Sequence, residues 1–502
     1  MPPKDEKSGF VALTRFGLGP RGDGGLADAS SDPRGFLLAE LEQPGAALVA
    51  EFDLPDSGSV YQAQIEQKKV NDIAKQAQQQ QMAAQIANAA ATAPMAPQNT
   101  MAPTAPPNMM APAAPQNAME AVRAARNASL RPGPTFDFLG ADVEARVKRA
   151  CNARAGLVER LVAFWSNHFA IATAKGGYFY HMVGAFERET IRPHVFGKFA
   201  DMLVAVESHP AMIFYLDNQQ SIGRNSWMGV RQRRGLNENL GREILELHTL
   251  GVNGGYRQDD VIALSNMLTG WRYADRNGLQ SPLGSFMFDV GVHEPAPQLL
   301  LGVEYPQGGE NQAKDALLAL ARRPETARHI AFKLARHFIA DQPPPALVDR
   351  LSQTFIKTKG DLRAMTIALI DSPEAFAAPA TKMRTPWEFS IGSARLFARA
   401  PIDIRQVTSS LNLLGQPLWN PPGPNGFPDE AAAWISSQGL KLRLDLAAQW
   451  TKRLKDPPDP RELLDVAFGA AASPETRLTV SRAETRAQGL ALLLMSPEAQ
   501  RR

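Results

Sequence analysis

Cysteine is nearly absent from this sequence of 502 residues, because Cys151 is its only thiol. One cysteine excludes an intrachain disulfide framework and any zinc site built from several thiolates. A long hydrophobic run is missing as well, since nowhere do about 18 consecutive apolar residues occur, the length that a membrane-spanning helix requires. We therefore expect a globular protein with neither disulfide bridges nor a transmembrane segment.

A secretory signal peptide is not visible either. The first 15 residues place charges at Lys4, Asp5, Glu6 and Lys7, and no apolar core follows a basic start, as a signal peptide would need. The expected compartment is therefore the cytoplasm. The alternative is the periplasm, reached by co-export with a partner that carries the signal, or concealed by an incorrectly assigned N-terminus.

An excess of one charge sign is also lacking, because 54 Lys and Arg residues face 51 Asp and Glu residues, for a net charge of +3. The densest basic cluster is the short stretch 231–234. Nucleic-acid binding proteins normally present a larger basic face than this. Nucleic acid is therefore not an expected partner.

What the chain does contain is helix-forming periodicity, interrupted by one abrupt change of composition. Residues 67–135 are rich in Ala, Gln, Pro and Met, and the repeated prolines of 94–115 can neither hold a helix nor build a core. We predict N-terminal helices at 1–66, a partly disordered low-complexity insertion at 67–135, a core helical region at 136–310 that carries the site, and a C-terminal helical region at 311–502. The predicted class is all-α, a multi-helix bundle with long loops, in which residues 285–288 can form one small β-hairpin.

The most informative stretch is 237–251, which predicts one helix with two faces. At about 100° per residue, Asn239, Glu243 and Glu246 share a polar stripe. An apolar stripe of Leu240, Ile244 and Leu247 lies beside it. Gly251 supplies a C-terminal stop, because glycine tolerates the left-handed conformation that ends a helix.

Two carboxylates three residues apart on a helix repel each other unless a cation, a metal ion or water compensates them. Arg242 is four residues from both Glu238 and Glu246 and is the nearest compensating cation. A structural ion pair, a functional carboxylate pair and a solvated face all remain open. His248 is left out of this cluster, because a regular helix places it about 140° from Glu243.

Several polar and aromatic residues elsewhere are candidates to complete a site. His168 follows Trp165 by three residues in an apolar helix, where a histidine is more often a core residue than a ligand, and Asn167 adds a polar group. The other candidates end short helices or lie in loops, namely Asp217, Trp271 and His293. We also note a stripe every four residues, interpreted as hydrated or partner-facing, formed by Glu325, His329, Lys333 and His337. The glycine- and proline-rich run 414–427 predicts either an ordered loop held by its aromatics or a mobile one.

Taken together, the motifs resemble the bacterial domain-of-unknown-function family 1800 along nearly the whole chain. The matching segments are Leu13–Gly17, Phe164–Phe169, Pro210–Met212, Leu216–Asn218, Asn237–Asn239 with Arg242, Glu243, Glu246 and Leu247, Thr269–Trp271, Lys382 with Pro386, and Leu414–Pro417. The resemblance implies no established reaction. It implies export and a neighbouring gene for a sulfatase-like protein, and the absence of a visible signal departs from that pattern.

Two functions are weighed from these residues. The first is a hydrolase or metal-dependent enzyme in which Glu243 and Glu246 act as acid and base, or bind a divalent metal with His168. Arg242 would position an anion or one of the acids, and Asp217 would complete the catalytic set. The binding residues would be Asn167, Trp165, Asn237, Glu238, Asn239, Trp271 and His293. The second is a helical scaffold that binds a partner such as the sulfatase-like protein, with the carboxylates in a structural polar network. A haem or other redox site would need His168 or His293 as an axial ligand.

Overall fold

The computed structural model describes residues 5–91, 137–232, 235–276, 281–377, 379–398 and 401–502. Two compact units make up the chain, residues 1–60 together with 138–502, and residues 61–137. Within the described ranges there are 24 α-helices and two small hairpins, so the predicted all-α class is confirmed. No helix in these ranges combines the length and the apolar character needed to cross a membrane. The stretch 94–115, for which the sequence predicts disorder, lies outside the described residues.

The N-terminal part begins with α1 (Glu6–Val11), α2 (Leu26–Ser31), α3 (Pro33–Leu41) and α4 (Ser57–Ala91). The start of α3 is set by Asp32, whose Oδ1 accepts a hydrogen bond from the Gly35 amide at 2.9 Å, with Pro33 at the first helical position. α4 includes the alanine- and glutamine-rich residues up to Ala91, and their composition favours a helix.

The central part contains α5 (Phe138–Asn152), α6 (Leu157–His168), α7 (Val183–Phe186), α8 (Phe199–Glu207), α9 (Pro210–Tyr215), α10 (Trp227–Gln232), α11 (Asn239–Glu243) and α12 (Gln258–Leu268). Nine of the 12 residues of α6 are buried, including Glu159 and Arg160. A helix that is buried on nearly all sides belongs to the core. Its charged side chains must therefore find partners inside the protein, because an unpaired buried charge is costly.

Three π-helical turns interrupt the α-helices, at Ala12–Phe16, Glu187–Ile191 and Ile244–Thr249. Such turns carry an extra residue and are frequent at functional sites. Each contains a buried ionisable side chain, namely Arg15, Glu187 and His248. The described part of the protein thus concentrates its irregular helical geometry around buried charge.

Two antiparallel hairpins follow α12. The first pairs β1 (Trp271–Tyr273) with β2 (Phe286–Phe288), in the register Trp271 opposite Phe288. The predicted hairpin is therefore present. A second one, which the sequence analysis did not predict, pairs β3 (Gln298–Leu300) with β4 (Val303–Tyr305).

The C-terminal part is again helical, with α13 (Glu310–Leu320), α14 (Pro324–Phe338), α15 (Pro345–Lys357), α16 (Leu362–Ile370), α17 (Glu374–Ala377), α18 (Pro386–Leu396), α19 (Ile404–Leu413), α20 (Ser437–Arg453), α21 (Pro460–Phe468), α22 (Pro474–Ser481), α23 (Arg486–Leu494) and α24 (Pro497–Gln500). Several of these helices start in the same way, with an Asp, Ser or Thr cap directly before a proline. At α18, Thr385 and Glu388 form a reciprocal capping box around Pro386. Local sequence therefore sets most of these helix starts.

Candidate functional site

A groove of about 1160 Å³ runs along α14. The helix contributes Glu325, Arg328, His329, Phe332, Lys333 and Arg336 to its lining, and the loops 250–254 and 422–430 contribute most of the remaining lining. The four-residue stripe noted in the sequence therefore lines a cavity along most of its length. Cavities with apolar walls and a few placed polar groups are where proteins commonly bind ligands.

Lys333 is the distinctive cation of this groove. It is half-buried, and no carboxylate of the described residues lies within 4.0 Å of its Nζ. Burial lowers the pKa of Lys333 to about 8, with Asp429 opposing this shift and Arg336 adding to it. An amine of this kind is partly neutral near physiological pH, which an exposed lysine is not.

His329 lies one helical turn before Lys333 in the same groove. Its Nε2 is 3.1 Å from the carbonyl oxygen of Leu247. Because a carbonyl only accepts hydrogen bonds, Nε2 carries the hydrogen and Nδ1 keeps a free lone pair. Burial lowers the pKa of His329 to about 4, and the charge of Lys333 adds to this. His329 is therefore a neutral imidazole at pH 7.

His168 and His329 both bind backbone carbonyls at the end of the third π turn. His168, at the end of α6, places Nε2 3.1 Å from the carbonyl oxygen of His248, next to the Leu247 carbonyl that His329 binds. In a π turn the backbone bonds connect residues five apart, as Leu250 and Leu245 do at 3.1 Å. The imidazoles of His168 on α6 and His329 on α14 bind the carbonyls of His248 and Leu247 at the end of this turn. These bonds join α6 and α14 to the helix that contains the π turn.

Polar contacts connect the loop 422–430, which overlaps the glycine- and proline-rich run 414–427, to α6 and α14. The side-chain amide of Asn167 donates to the Phe427 carbonyl at 2.9 Å and accepts from the Phe427 amide at 2.8 Å. A Cβ at Gly426, where φ is +77°, would lie 2.4 Å from the Asn167 carbonyl oxygen. Arg336 also pairs with Glu430. A polar clamp from α6, in addition to aromatic packing, therefore holds this wall of the groove.

A second cavity, of about 80 Å³, shares Asn167, Phe427 and Asp429 with the groove. There, His337 Nδ1 donates to Asp429 Oδ1 at 2.8 Å, and Arg160 Nη2 lies 3.2 Å from His337 Nε2. Both ring nitrogens of His337 are thus engaged. Arg160 also pairs with Glu388 at 2.9 Å. This cluster is a buried polar network beside the groove, in which only the Nε of Arg160 has no partner among the described residues.

The predicted carboxylate stripe is half-buried. Arg242 pairs with Glu238 at 2.8 Å, whereas Glu246 accepts a hydrogen bond from Tyr256 at 3.3 Å. Burial raises the pKa of Glu243, while His248 opposes the shift and Glu246 adds to it. Of the apolar stripe, Leu240 and Ile244 are buried.

The structure does not bring the other catalytic candidates to this stripe. His168 is buried and bonded to the His248 backbone, and burial holds its pKa well below the usual value. Asp217 pairs with Lys175 at 2.6 Å. Across the described ranges, no group of three or more His, Cys, Asp or Glu residues is arranged to hold a metal ion, and Glu243, Glu246 and His168 form no such group.

The remaining candidates lie in packing or turn positions. Trp165 packs edge-on against His168 with ring centroids 5.4 Å apart, and Asn237 donates to the Asp217 carbonyl at 3.0 Å. Asn239 is exposed. Trp271 starts β1 and packs against Phe286, and His293 is buried with Nδ1 bonded to a backbone carbonyl at 2.8 Å.

His329 and Lys333 are the two groups that the sequence interpretation did not place in a site. Their four-residue spacing was a usable signal. The sequence pattern could not show that the loop 422–430, about 90 residues further along the chain, covers this stripe and forms the groove with it.

Comparison with known proteins gives a family and no closer relative. No curated protein and no solved structure matches the chain. One family, described as Protein of unknown function (DUF1800), matches residues 11–501. This match covers the groove, both of its walls and all the motifs that suggested the resemblance. The chain therefore belongs to the DUF1800 family.

Proposed function

We propose that the protein is a hydrolase whose reaction takes place in the groove along α14, with Lys333 as the general base. The observation that carries the proposal is a half-buried amine at a groove, without a carboxylate partner among the described residues and with a pKa lowered to about 8. A strongly perturbed titratable group in a cleft is a recognised indicator of a functional site. General bases work best when their pKa lies near the working pH.

The chemistry follows from the protonation states of the two side chains. Neutral Lys333 takes a proton from a water molecule as the water oxygen attacks a carbonyl carbon. The free Nδ1 of neutral His329 accepts a hydrogen bond from the other O–H group of that water and so orients it. The resulting Lys333 ammonium then returns its proton to the leaving group, so that acid and alcohol or amine products balance.

The lining of the groove indicates the substrate class. Phe332, Val348, Phe427 and Leu250 supply apolar walls, and the side-chain amides of Asn253 and Asn425 supply hydrogen-bond groups. An ester or amide on a mainly apolar, extended chain fits this combination. The reaction class is the hydrolysis suggested by the carboxylate stripe, but proton transfer is assigned to Lys333. His168 binds the His248 carbonyl and Asp217 pairs with Lys175, so neither is assigned this role.

The test is hydrolysis of a panel of p-nitrophenyl esters and anilides of increasing acyl length. We expect activity that rises with pH through about 8, as Lys333 loses its proton. Lys333→Met should abolish it, whereas Lys357→Met, an exposed lysine on the neighbouring α15, should leave it unchanged. Equal activity in both variants, or a rate that is flat across this pH range, would contradict the proposal.

A second candidate function, partner binding, is supported by a different surface. Trp227, Val230 and Val290 are 61%, 71% and 73% exposed. They are adjacent, because the Met228 amide donates to the Gly291 carbonyl at 2.9 Å. Arg231 stacks on Trp227 with its guanidinium carbon 3.8 Å from the ring centroid. Exposed tryptophan with arginine is typical of binding hot spots.

The partner suggested by the family resemblance is a sulfatase-like protein. Co-expression with such a protein and affinity capture of the complex tests this. Trp227→Ala with Val230→Asp should abolish capture, and Leu299→Asp, which alters an exposed apolar residue on β3, should not. Capture that is insensitive to both changes would exclude this surface as the interface.

A further inference from the structure

Arg384 is a buried arginine in which two guanidinium nitrogens have no hydrogen-bond partner among the described residues. Its residue is only 5% exposed, and its main chain is well bonded, with the amide donating to the Gln500 carbonyl at 2.9 Å. Its side chain differs, because Nε and Nη2 are shielded from solvent and have no partner among the residues that the structure describes. A guanidinium has five N–H donors, so this is a large unmet hydrogen-bonding capacity.

Among the buried arginines of the described residues, Arg384 has two nitrogens without a partner, whereas Arg160 and Arg502 each have one. Arg395 donates to a series of backbone carbonyls, including Gly19 at 3.0 Å and Ala153 at 2.7 Å. Arg443 donates to the Gln500 side chain at 3.0 Å and to the Arg384 carbonyl at 2.7 Å. The fold thus supplies acceptors for the side chains of Arg395 and Arg443.

Glu388 is the carboxylate that acts electrostatically on Arg384, but both of its oxygens already bind other groups. Glu388 Oε1 binds Arg160 at 2.9 Å, and Glu388 Oε2 binds both the Arg502 side chain and the Thr385 amide at 2.9 Å. Arg443 is influenced by the same carboxylate. Four guanidiniums therefore share this glutamate in a buried region, and Asp429 is a second carboxylate that acts on one of them, Arg160. Buried charge without compensation is strongly destabilising.

A small cavity lies against this side chain. It measures about 10 Å³ and is lined by Arg384 and Ser393, with apolar groups from Pro20, Phe389, Leu396 and Leu494 among the rest. About 10–15 Å³ on this measure holds one water-sized species. The volume thus corresponds to one water-sized species and is too small for sulfate, phosphate or a carboxylate group.

Two glycines make room for the guanidinium. A Cβ at Gly392 would lie 3.0 Å from Arg384 Nη1, and a Cβ at Gly19, where φ is +102°, would lie 3.1 Å from the same atom. Either methyl group would crowd the side chain. The turn that follows the first π segment and the middle of α18 are thus both shaped around Arg384.

We propose that Arg384 binds a chloride ion in this cavity. The ion adds negative charge beside the four guanidiniums that share Glu388 and accepts the unpaired N–H groups of Arg384 Nε and Nη2, at a cavity too small for a polyatomic anion. Because the lining comes from the N-terminal turn, α18, α21 and the C-terminal helices, the bound halide joins segments that are distant in sequence. This site is separate from the groove and independent of the hydrolase proposal.

The test compares thermal unfolding of the full chain in sodium chloride, sodium bromide and sodium gluconate at equal ionic strength. A ligand that binds only the folded state raises the Tm in proportion to the logarithm of its concentration. We expect this rise with chloride and bromide but not with gluconate. Arg384→Met should remove the difference, and Arg453→Met, at an exposed arginine of α20, should retain it.

Crystals grown in bromide provide a test that does not depend on a variant that folds. An anomalous peak within hydrogen-bonding distance of Arg384 is the expected result. A water molecule in the cavity, no anomalous peak there, or identical Tm values in chloride and gluconate would each overturn the proposal.

Discussion

At the scale of single residues, the groove brings together two side chains whose charge states depend on burial. Lys333 and His329 are four residues apart on α14, and each has a pKa lowered mainly by loss of solvent. The same pair on an exposed helix would be an ammonium ion and an imidazole of ordinary pKa. Their chemistry is therefore a property of the loop that covers them as much as of the residues themselves.

The lowered pKa of Lys333 predicts selective acylation. At pH 8 about half of this amine is neutral, whereas an exposed lysine with a pKa near 10.4 is less than about 1% neutral. With a limiting amount of a small amine-reactive ester, Lys333 should be labelled before exposed lysines such as Lys357 and Lys314. Peptide mass spectrometry measures the order of labelling. A Lys333 that reacts at the rate of Lys357 would show that its pKa is ordinary.

Glu388 predicts a large effect on stability, because its two oxygens hold Arg160 and Arg502 in the interior. Removing one partner of a buried ion pair leaves an uncompensated charge and costs about 3–5 kcal/mol. Glu388→Gln should lower the free energy of unfolding by that amount in urea denaturation. The matched control is Asp445→Asn in the exposed Lys441–Asp445 pair, which should cost less than about 1 kcal/mol. Similar losses in the two variants would count against the network.

At the scale of secondary structure, the segment 239–251 shows how an irregular helix alters a site. The polar stripe predicted from the sequence assumes 3.6 residues per turn, but the chain changes to a π turn at Ile244. Within this turn His248 is buried against Glu207, with Nδ1 2.7 Å from Oε1. The carbonyl of Leu247 is bound by His329, and the carbonyl of His248 is bound by His168.

Two glycines near the end of this segment should differ in how much an alanine substitution lowers the free energy of unfolding. Gly251 and Gly255 both have positive φ, +85° and +81°. A Cβ at Gly251 would lie 2.7 Å from His329 Nδ1, whereas nothing lies within 4 Å of a Cβ at Gly255. Gly255→Ala should cost about 1–2 kcal/mol from backbone strain alone. Gly251→Ala should cost more, because it also displaces the imidazole, and equal unfolding free energies would contradict this assignment.

At the scale of the whole molecule, several histidines are buried in neutral form. Burial lowers the pKa of His168, His293, His329 and His337. In the unfolded chain these groups titrate near 6.5, so below that pH the unfolded state binds more protons and stability falls. The free energy of unfolding should therefore decrease as the pH drops from about 6.5 towards 4, before the carboxylates titrate.

Urea denaturation at a series of pH values measures this loss. The slope should be positive in that window and should become shallower in His329→Gln, which removes one of the titrating groups. A stability that is constant from pH 7 to 5 would mean that the histidines are not buried as neutral groups.

Much of this architecture was predictable because its causes are local. Asp32 before Pro33, Thr385 before Pro386 and Gly251 after Leu250 each mark a helix end by short-range hydrogen bonding or backbone preference. The placement of His168 in the core followed in the same way from its apolar neighbours. The groove did not, because Lys333 and Phe427 are separated by almost a hundred residues and no periodicity records their approach.

The sequence by itself determined the helical class, most helix starts, the hairpin near residue 286 and membership of the family, since these depend on neighbouring residues or on motifs. Only the tertiary structure decided which polar stripe lines a cavity and which buried arginine nitrogens have no partner among the described residues. Helix periodicity places Glu243 and Lys333 equally well on a polar face. Their different surroundings arise from contacts between distant segments, and burial by those contacts sets the pKa and thus the available chemistry.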